Sequence, residues 1–167
     1  MSAELVVHVV PQLPPNVSGV GDYATLVGRR MEEINEGVVC GYVAAGHNAV
    51  DLPADDKVIR NISGRCDTQT LWSAVGNIAH ELEAETTSVV LHYSGYGFER
   101  NGCPTGLALA LQNRPNFVVN AVTYFHELYA TGWPWQRGFW YSPQQRQTAS
   151  VIARFSDEIL TNRERSA

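Results

Sequence analysis

Short runs of β-branched and apolar residues alternate along this chain with segments whose apolar residues recur every three or four positions. The short runs predict six strands, at residues 5–10, 38–45, 57–62, 88–93, 117–124 and 158–161. The helical spacing predicts helices over 23–34, 71–82 and 104–112. A fourth helix is predicted to start at Ser142, because Pro143 and Gln145 follow it in the pattern of a capping box. This alternation predicts an α/β sandwich around a mainly parallel sheet of about six strands.

Composition and charge narrow the class of protein. The 167 residues, 44% of them hydrophobic and 17% charged, are typical of one compact domain. The net charge of −5 argues against binding to nucleic acid and against a basic membrane-binding surface. No apolar run approaches the roughly 20 residues of a membrane helix, and the start of the chain lacks the pattern of a signal peptide, so we expect a cytoplasmic location. Cys40, Cys66 and Cys103 form no C-x-x-C pair and are expected to be reduced.

The loop after the first predicted strand, residues 11–23, has the pattern of an anion-binding loop. It ends in Ser18-Gly19-Val20-Gly21-Asp22-Tyr23, directly before a predicted helix. Glycines at this place let a ligand approach the backbone, and the helix dipole favours an anion such as phosphate. A side chain at Gly21 is therefore expected to block a ligand more than it harms folding.

Two alternatives for this loop stay open. The segment from Gly19 also satisfies the dinucleotide pattern G-x-G-x-x-A, which raises the possibility of an NAD- or NADP-linked oxidoreductase. Residues 11–18 separate the first strand from that glycine, however, and the second strand ends in Ala44-Ala45-Gly46 instead of an acidic residue. Both features disfavour a dinucleotide. The glycines would otherwise serve only a structural turn.

Two further predicted strand ends, residues 92–98 and 124–131, carry histidines and aromatic residues. His126-Glu127 begins like the zinc-protease motif H-E-x-x-H, but Ala130 stands where the second histidine would be, which disfavours a zinc protease. The segment around Ser94 lacks the glycines of G-x-S-x-G, which disfavours a serine hydrolase. His92 fits a buried core histidine as well as a site residue, whereas His126 fits a site better. The aromatic segment 133–141 fits either a minor core or a surface that stacks on a sugar.

These three loops resemble the amino-terminal domain of group 1 glycosyltransferases (glycosyltransferase family 4, GT-B fold). The matching motifs are Ser18-Gly19-Val20-Gly21-Asp22-Tyr23-Ala24, Leu91-His92-Tyr93-Ser94-Gly95-Tyr96-Gly97, Tyr124-Phe125-His126-Glu127-Leu128-Tyr129 and Glu158-Ile159-Leu160-Thr161-Asn162. The likeness runs from about residue 5 to the end of the chain. Ser18 is a departure, because many relatives have a glycine there.

The resemblance implies a Rossmann-like three-layer sandwich and the acceptor-side half of a retaining glycosyltransferase, which moves a sugar from a nucleotide-sugar donor to a hydroxyl of a glycan or lipid acceptor. It implies no cofactor and no essential metal. His126 would contact the transferred sugar, and the implied substrate-binding residues are Ser18, Gly19, Val20, Gly21, Asp22, Tyr23, His92, Tyr93, Ser94, Tyr96 and Glu127.

The resemblance also implies that residues 1–167 form one amino-terminal domain, and that the carboxyl-terminal donor-binding domain is absent. The chain alone is then expected to be inactive. The alternative, from a different class, is a non-catalytic sugar- or nucleotide-binding α/β module.

Overall fold

The computed structural model of this protein describes residues 4–47, 58–127 and 137–161. Strands and helices alternate along the chain as the apolar pattern predicts. The elements are β1 Glu4–Val10, α1 Gly19–Ile34, β2 Val38–Ala44, β3 Ile59–Asn61, α2 Thr68–Glu81, β4 Thr86–Ser94, α3 Gly95–Phe98, α4 Thr105–Gln112, β5 Val118–Glu127, α5 Arg137–Phe155 and β6 Glu158–Thr161.

All six strands are parallel and lie in the order β3-β2-β1-β4-β5-β6. This is the strand order of doubly wound dinucleotide-binding sheets, so the predicted α/β, Rossmann-like sandwich is confirmed. The chain moves outward in one direction from β1 and in the other direction from β4. The direction of the chain thus reverses between β1 and β4, and folds of this class bind ligands at the carboxyl edge of the sheet beside such a reversal.

Different helices pack on the two faces of the sheet. On one face α4 packs between α2 and α5, and the Trp72 indole donates a 2.9 Å hydrogen bond to the Ala110 carbonyl. The main apolar core lies there and includes Leu5, Val7, Val9, Val43, Leu71, Val75, Ile78, Val89, Leu91, Leu107, Phe125 and Ile152. On the other face α1 packs on β1 and β2, and Gly28 lies directly against Cys40 and Tyr42. Alternation along the strands then puts even-numbered positions of β1, β2 and β4 on the α1 face.

Helix α2 has a complete amino-terminal cap. The Asp67 carboxylate accepts a 2.9 Å hydrogen bond from the Thr70 amide, and the Thr70 hydroxyl accepts one from the Asp67 amide. These hydrogen bonds to the ionised form hold the pKa of Asp67 below its ordinary value. The cap fixes where the chain turns from the loop into the helix.

Several elements differ from the sequence prediction: α1 begins earlier, at Gly19, α3 was not predicted, and two further differences have a clear tertiary cause. The helix predicted to start at Ser142 starts at Arg137, so Pro143 lies inside α5. Gln145, the residue that would close the capping box, instead donates 2.9 Å hydrogen bonds to Tyr96 Oη and to the Asn101 carbonyl. The Gln145 side chain, which the capping box requires, is thus used in a tertiary contact instead.

Strand β5 is the second difference, because it continues to Glu127 where residue 124 was predicted as its end. Its last residues pair with β4, in the register His92–Tyr124 and Tyr93–Phe125. His126 therefore lies within the strand and does not follow it. Hydrogen bonds to a neighbouring strand keep residues of low strand propensity extended. The periodicity of the sequence does not reveal these hydrogen bonds.

The three cysteines are free thiols, as predicted. Burial raises the pKa of Cys40 and of Cys66 to about 12, so both thiols are protonated and unreactive at neutral pH. Within the described ranges, none of the helices is both long and apolar enough to cross a bilayer.

Candidate functional site

Three loops meet backbone to backbone at the carboxyl edge of the sheet. The Gly46 amide, after β2, donates a 2.8 Å hydrogen bond to the carbonyl of Pro11, after β1. An added Cβ at Gly46 would also lie 2.7 Å from the carbonyl oxygen of Gly97, in α3 after β4. These contacts hold the three loops in a fixed arrangement.

A row of three hydrogen-bonded imidazoles crosses the sheet beside these loops. His8 Nδ1 lies 2.9 Å from His92 Nε2, and His92 Nδ1 lies 3.1 Å from His126 Nε2. The three rings come from β1, β4 and β5, which are adjacent strands, and all lie on the α1 face. His8 and His92 are completely buried, and His126 is half-buried. We call this row the histidine chain.

Tyrosine rings enclose the histidine chain. Tyr42 of β2 stacks on the buried end, with ring centroids 5.4 Å apart. Tyr124 packs against the half-buried end at 4.5 Å. Tyr23, in the second turn of α1, lies edge-on to His92 and to His126, with ring centroids 6.1 and 5.4 Å apart. Tyr23 thus joins the start of α1 to the open end of the histidine chain.

The histidine chain is uncharged at neutral pH. Burial lowers the pKa of His8 to about 4. Burial, and then the proximity of the other two imidazoles, lowers the pKa of His92 to about 3. Burial also lowers the pKa of His126, and the neighbouring Glu127 carboxylate opposes that shift. These groups can donate or accept hydrogen bonds at neutral pH, but they supply no positive charge.

The loop predicted at residues 11–23, called the glycine loop below, has a different geometry from the one predicted, because α1 already begins at Gly19. Ser18 caps α1, and its Oγ accepts a 3.2 Å hydrogen bond from the Gly21 amide. The amides of Gly19 and Val20 have no acceptor among the described residues and belong to the first turn, where no helical partner exists. The amides open to an anion are therefore those of Gly19 and Val20, and the Gly21 amide is occupied.

The expectation that a side chain at Gly21 would spare the fold is wrong. A Cβ there would overlap the carbonyl group of Gln12, because α1 packs directly on its own incoming loop. A Cβ at Gly19, in contrast, meets nothing within 4 Å. Gly19 is therefore the position at which a side chain can test the loop without disturbing packing.

The remaining predicted site residues are divided between the two faces of the sheet. Tyr93 is fully buried against Phe125 in the main core, on the face opposite His92, and burial raises its pKa. The structure does not bring Tyr93 to the histidine chain. Ser94 Oγ donates a 3.3 Å hydrogen bond to Glu127 Oε2, which ties the ends of β4 and β5 together. Tyr96 is 39% exposed.

Sequence reasoning missed His8, Tyr42 and Tyr124 as members of this cluster. His8 was detectable, since it is the one polar residue in the run Leu-Val-Val-His-Val-Val. Residues 128–136, which include much of the predicted aromatic segment, lie outside the described residues; Trp140 is 72% exposed. Among the described residues, no group of histidines, cysteines and carboxylates could hold a metal ion.

Comparisons of this chain with protein-family models, with curated proteins and with solved structures found no match in any of the three. The geometry of the carboxyl edge therefore carries the functional argument.

Proposed function

We propose that this chain is the acceptor-side half of a retaining glycosyltransferase, which moves a sugar from a nucleotide-sugar donor to a hydroxyl of a glycan or lipid acceptor. One observation carries the proposal. Tyr23 lies one helical turn after the open amides at the start of α1, and its ring centroid is 5.4 Å from that of the half-buried His126, at the carboxyl edge of the sheet. Tyr23 thus lies between unpaired helix-start amides along the chain and an uncharged hydrogen-bonding ring beside it.

This arrangement suits the chemistry of glycosyl transfer. Cleavage of a glycosyl–phosphate bond develops negative charge on the diphosphate and positive charge on the sugar ring. The amides of Gly19 and Val20 would stabilise the diphosphate, since backbone N–H groups at a helix start favour anions. His126 would orient a sugar hydroxyl by a hydrogen bond that needs no charge.

The proposal requires a partner domain. The described residues offer two amides and neutral rings, whereas a nucleotide also needs a base and ribose site. A carboxyl-terminal donor-binding domain would supply this site, and the proposed location remains cytoplasmic. No cofactor takes part, because the donor is itself a substrate.

The test is a transfer assay on the product of the complete reading frame, with a panel of nucleotide sugars. Gly19→Val should lower turnover at least about tenfold, a barrier increase of ~1.4 kcal/mol, because its side chain enters the space above the amides. Gly37→Val is the matched control, since a Cβ there also meets nothing within 4 Å and lies at the opposite edge. Equal kinetics for the two variants would remove the glycine loop from the site.

His126→Ala separates this proposal from a binding module. In a transferase its kcat should fall more than its acceptor KM rises, as expected for an interaction that strengthens in the transition state. A wild-type product that binds nucleotide sugars without transferring them would instead identify a non-catalytic sugar- or nucleotide-binding module.

Asp22 gives a third measurement, because its carboxylate lies in the first turn of α1 and is exposed. A negative charge there competes with a bound anion for the positive helix end. Asp22→Asn should therefore tighten the binding of a nucleoside diphosphate two- to fivefold, roughly 0.3–1 kcal/mol. Weaker or unchanged binding would place the diphosphate elsewhere.

A further inference from the structure

The histidine chain can hold its protons in only two arrangements. A neutral imidazole carries one proton, on either Nδ1 or Nε2. His8 and His92 meet through Nδ1 and Nε2, and His92 and His126 meet in the same sense. The protons therefore lie either on all three Nδ1 atoms or on all three Nε2 atoms. Any mixture would bring two protons or two lone pairs face to face.

The buried end distinguishes the two arrangements. His8 Nε2 is completely buried and has no hydrogen-bond partner in the structure. With protons on the Nδ1 atoms, His8 Nε2 is an unpaired lone pair. With protons on the Nε2 atoms, it is an unpaired N–H group. Orphaned buried N–H groups are rare in native proteins, and the Nδ1–H arrangement leaves none at this end, so we take it as the favoured one.

The tautomer of His126, at the half-buried end of the histidine chain, decides which hydrogen-bonding group a ligand meets. His126 is half-buried, and its Nδ1 has no hydrogen-bond partner among the described residues. In the Nδ1–H arrangement this atom is a hydrogen-bond donor without a partner in that part of the chain.

We propose that His8 and His92 are positioning residues, which fix His126 in the Nδ1–H tautomer so that the site selects a ligand oxygen that accepts a hydrogen bond. Such an oxygen belongs to a hydroxyl or a phosphate group. His126 then serves to orient a ligand and does not act as a base. The tautomer is a property of this chain alone, and only the identification of the ligand as a nucleotide sugar rests on the proposed function.

Protonation of His126 would work against this arrangement. A charged His126 carries a proton on Nε2 as well, so it must donate to His92, which must then donate to His8. That reversal puts the orphaned N–H group at the buried end. The groups that face the histidine chain are Tyr23 from α1, Tyr42 from β2, and Tyr124 and Glu127 from β5. Only Glu127 among these favours the charged form.

The test is nitrogen NMR of the chain labelled with ¹⁵N in its histidines, at neutral pH, where ring nitrogen shifts distinguish the two tautomers. We expect His8, His92 and His126 to show a protonated Nδ1 and an unprotonated Nε2. A protonated Nε2 on any of the three would overturn the proposal. If the tautomers are as expected and the product of the complete reading frame transfers no sugar, the proposed function fails and this inference stands.

A pair of variants tests whether His92 sets the tautomer of His126 through the hydrogen bonds of the histidine chain. His92→Phe keeps a buried ring but removes both hydrogen bonds, so a His126 population with protonated Nε2 should appear. Tyr42→Phe is the control, because it keeps the ring that stacks on His8 and should leave all three tautomers unchanged. An unchanged His126 in folded His92→Phe would show that His92 does not set its tautomer. If that variant fails to fold, the wild-type spectrum still decides the proposal.

Discussion

Acidification from pH 7 to pH 5 should destabilise this protein through two of its buried histidines. The pKa of His8 is lowered to about 4 and that of His92 to about 3, from an ordinary value of 6.5. Between these values the unfolded chain binds protons that the folded chain does not. The free energy of unfolding therefore falls as the pH falls, starting near pH 6.5 and continuing to about pH 4 for His8 and about pH 3 for His92.

The expected loss is large. A pH of 5 lies about 1.5 units below the pKa of an unfolded imidazole. This difference corresponds to a loss of about 2 kcal/mol in the free energy of unfolding per histidine. The two together give roughly 4 kcal/mol between pH 7 and pH 5, a substantial part of a typical total of about 5–15 kcal/mol. The slope near pH 5 should be roughly 2–3 kcal/mol per pH unit.

Urea unfolding at half-unit steps from pH 7 to pH 5 measures this loss directly. His8→Phe should reduce the slope by about half, because one of the two proton sites is gone. Tyr124→Phe is the control, since it keeps every histidine and should keep the slope. An unfolding free energy that stays constant over this range would mean that the folded protein takes up the protons, and the buried, uncharged histidine chain would be refuted.

Three further predictions concern packing and capping. Gly21→Ala should lower the free energy of unfolding by about 1–3 kcal/mol, because its Cβ overlaps the Gln12 carbonyl; a neutral effect in urea unfolding would contradict the packing of α1. Asp67→Ala should lower the thermal midpoint of unfolding through loss of the α2 cap, and an unchanged midpoint would argue against that cap. Gly28→Ala should destabilise through overlap with the Tyr42 hydroxyl, and Tyr42→Phe should recover part of the loss in a double-mutant cycle; purely additive effects would exclude this contact.

Local sequence signals predicted the six strands, four of the five described helices and the strand direction. The β-branched runs and the three-to-four spacing predicted all six strands and the positions of α1, α2 and α4. Since predicted helices separate most of these strands, a mainly parallel sheet followed, and with it the meeting of the loops at one edge. The glycine loop and His126 were predicted for this edge on the same ground.

Local signals failed where a tertiary contact decided the outcome. The capping-box pattern at Ser142 is a property of four residues, but Gln145 is held by Tyr96 and Asn101 across the fold. Pairing with β4 extended β5 through His126. In both cases a contact between residues distant in sequence outweighed a local preference of about 1 kcal/mol.

The histidine chain is the feature that only the tertiary structure decided. A strand buried on both faces has apolar residues at every position, so the run around His8 does not show which face each side chain takes. His8, His92 and His126 meet only because the order β1-β4-β5 makes their strands neighbours and the register brings their rings to one face. The same alternation sends Tyr93, one residue after His92, into the opposite core. The sequence determined the edge at which the candidate site lies, and the strand order and register determined which side chains form it.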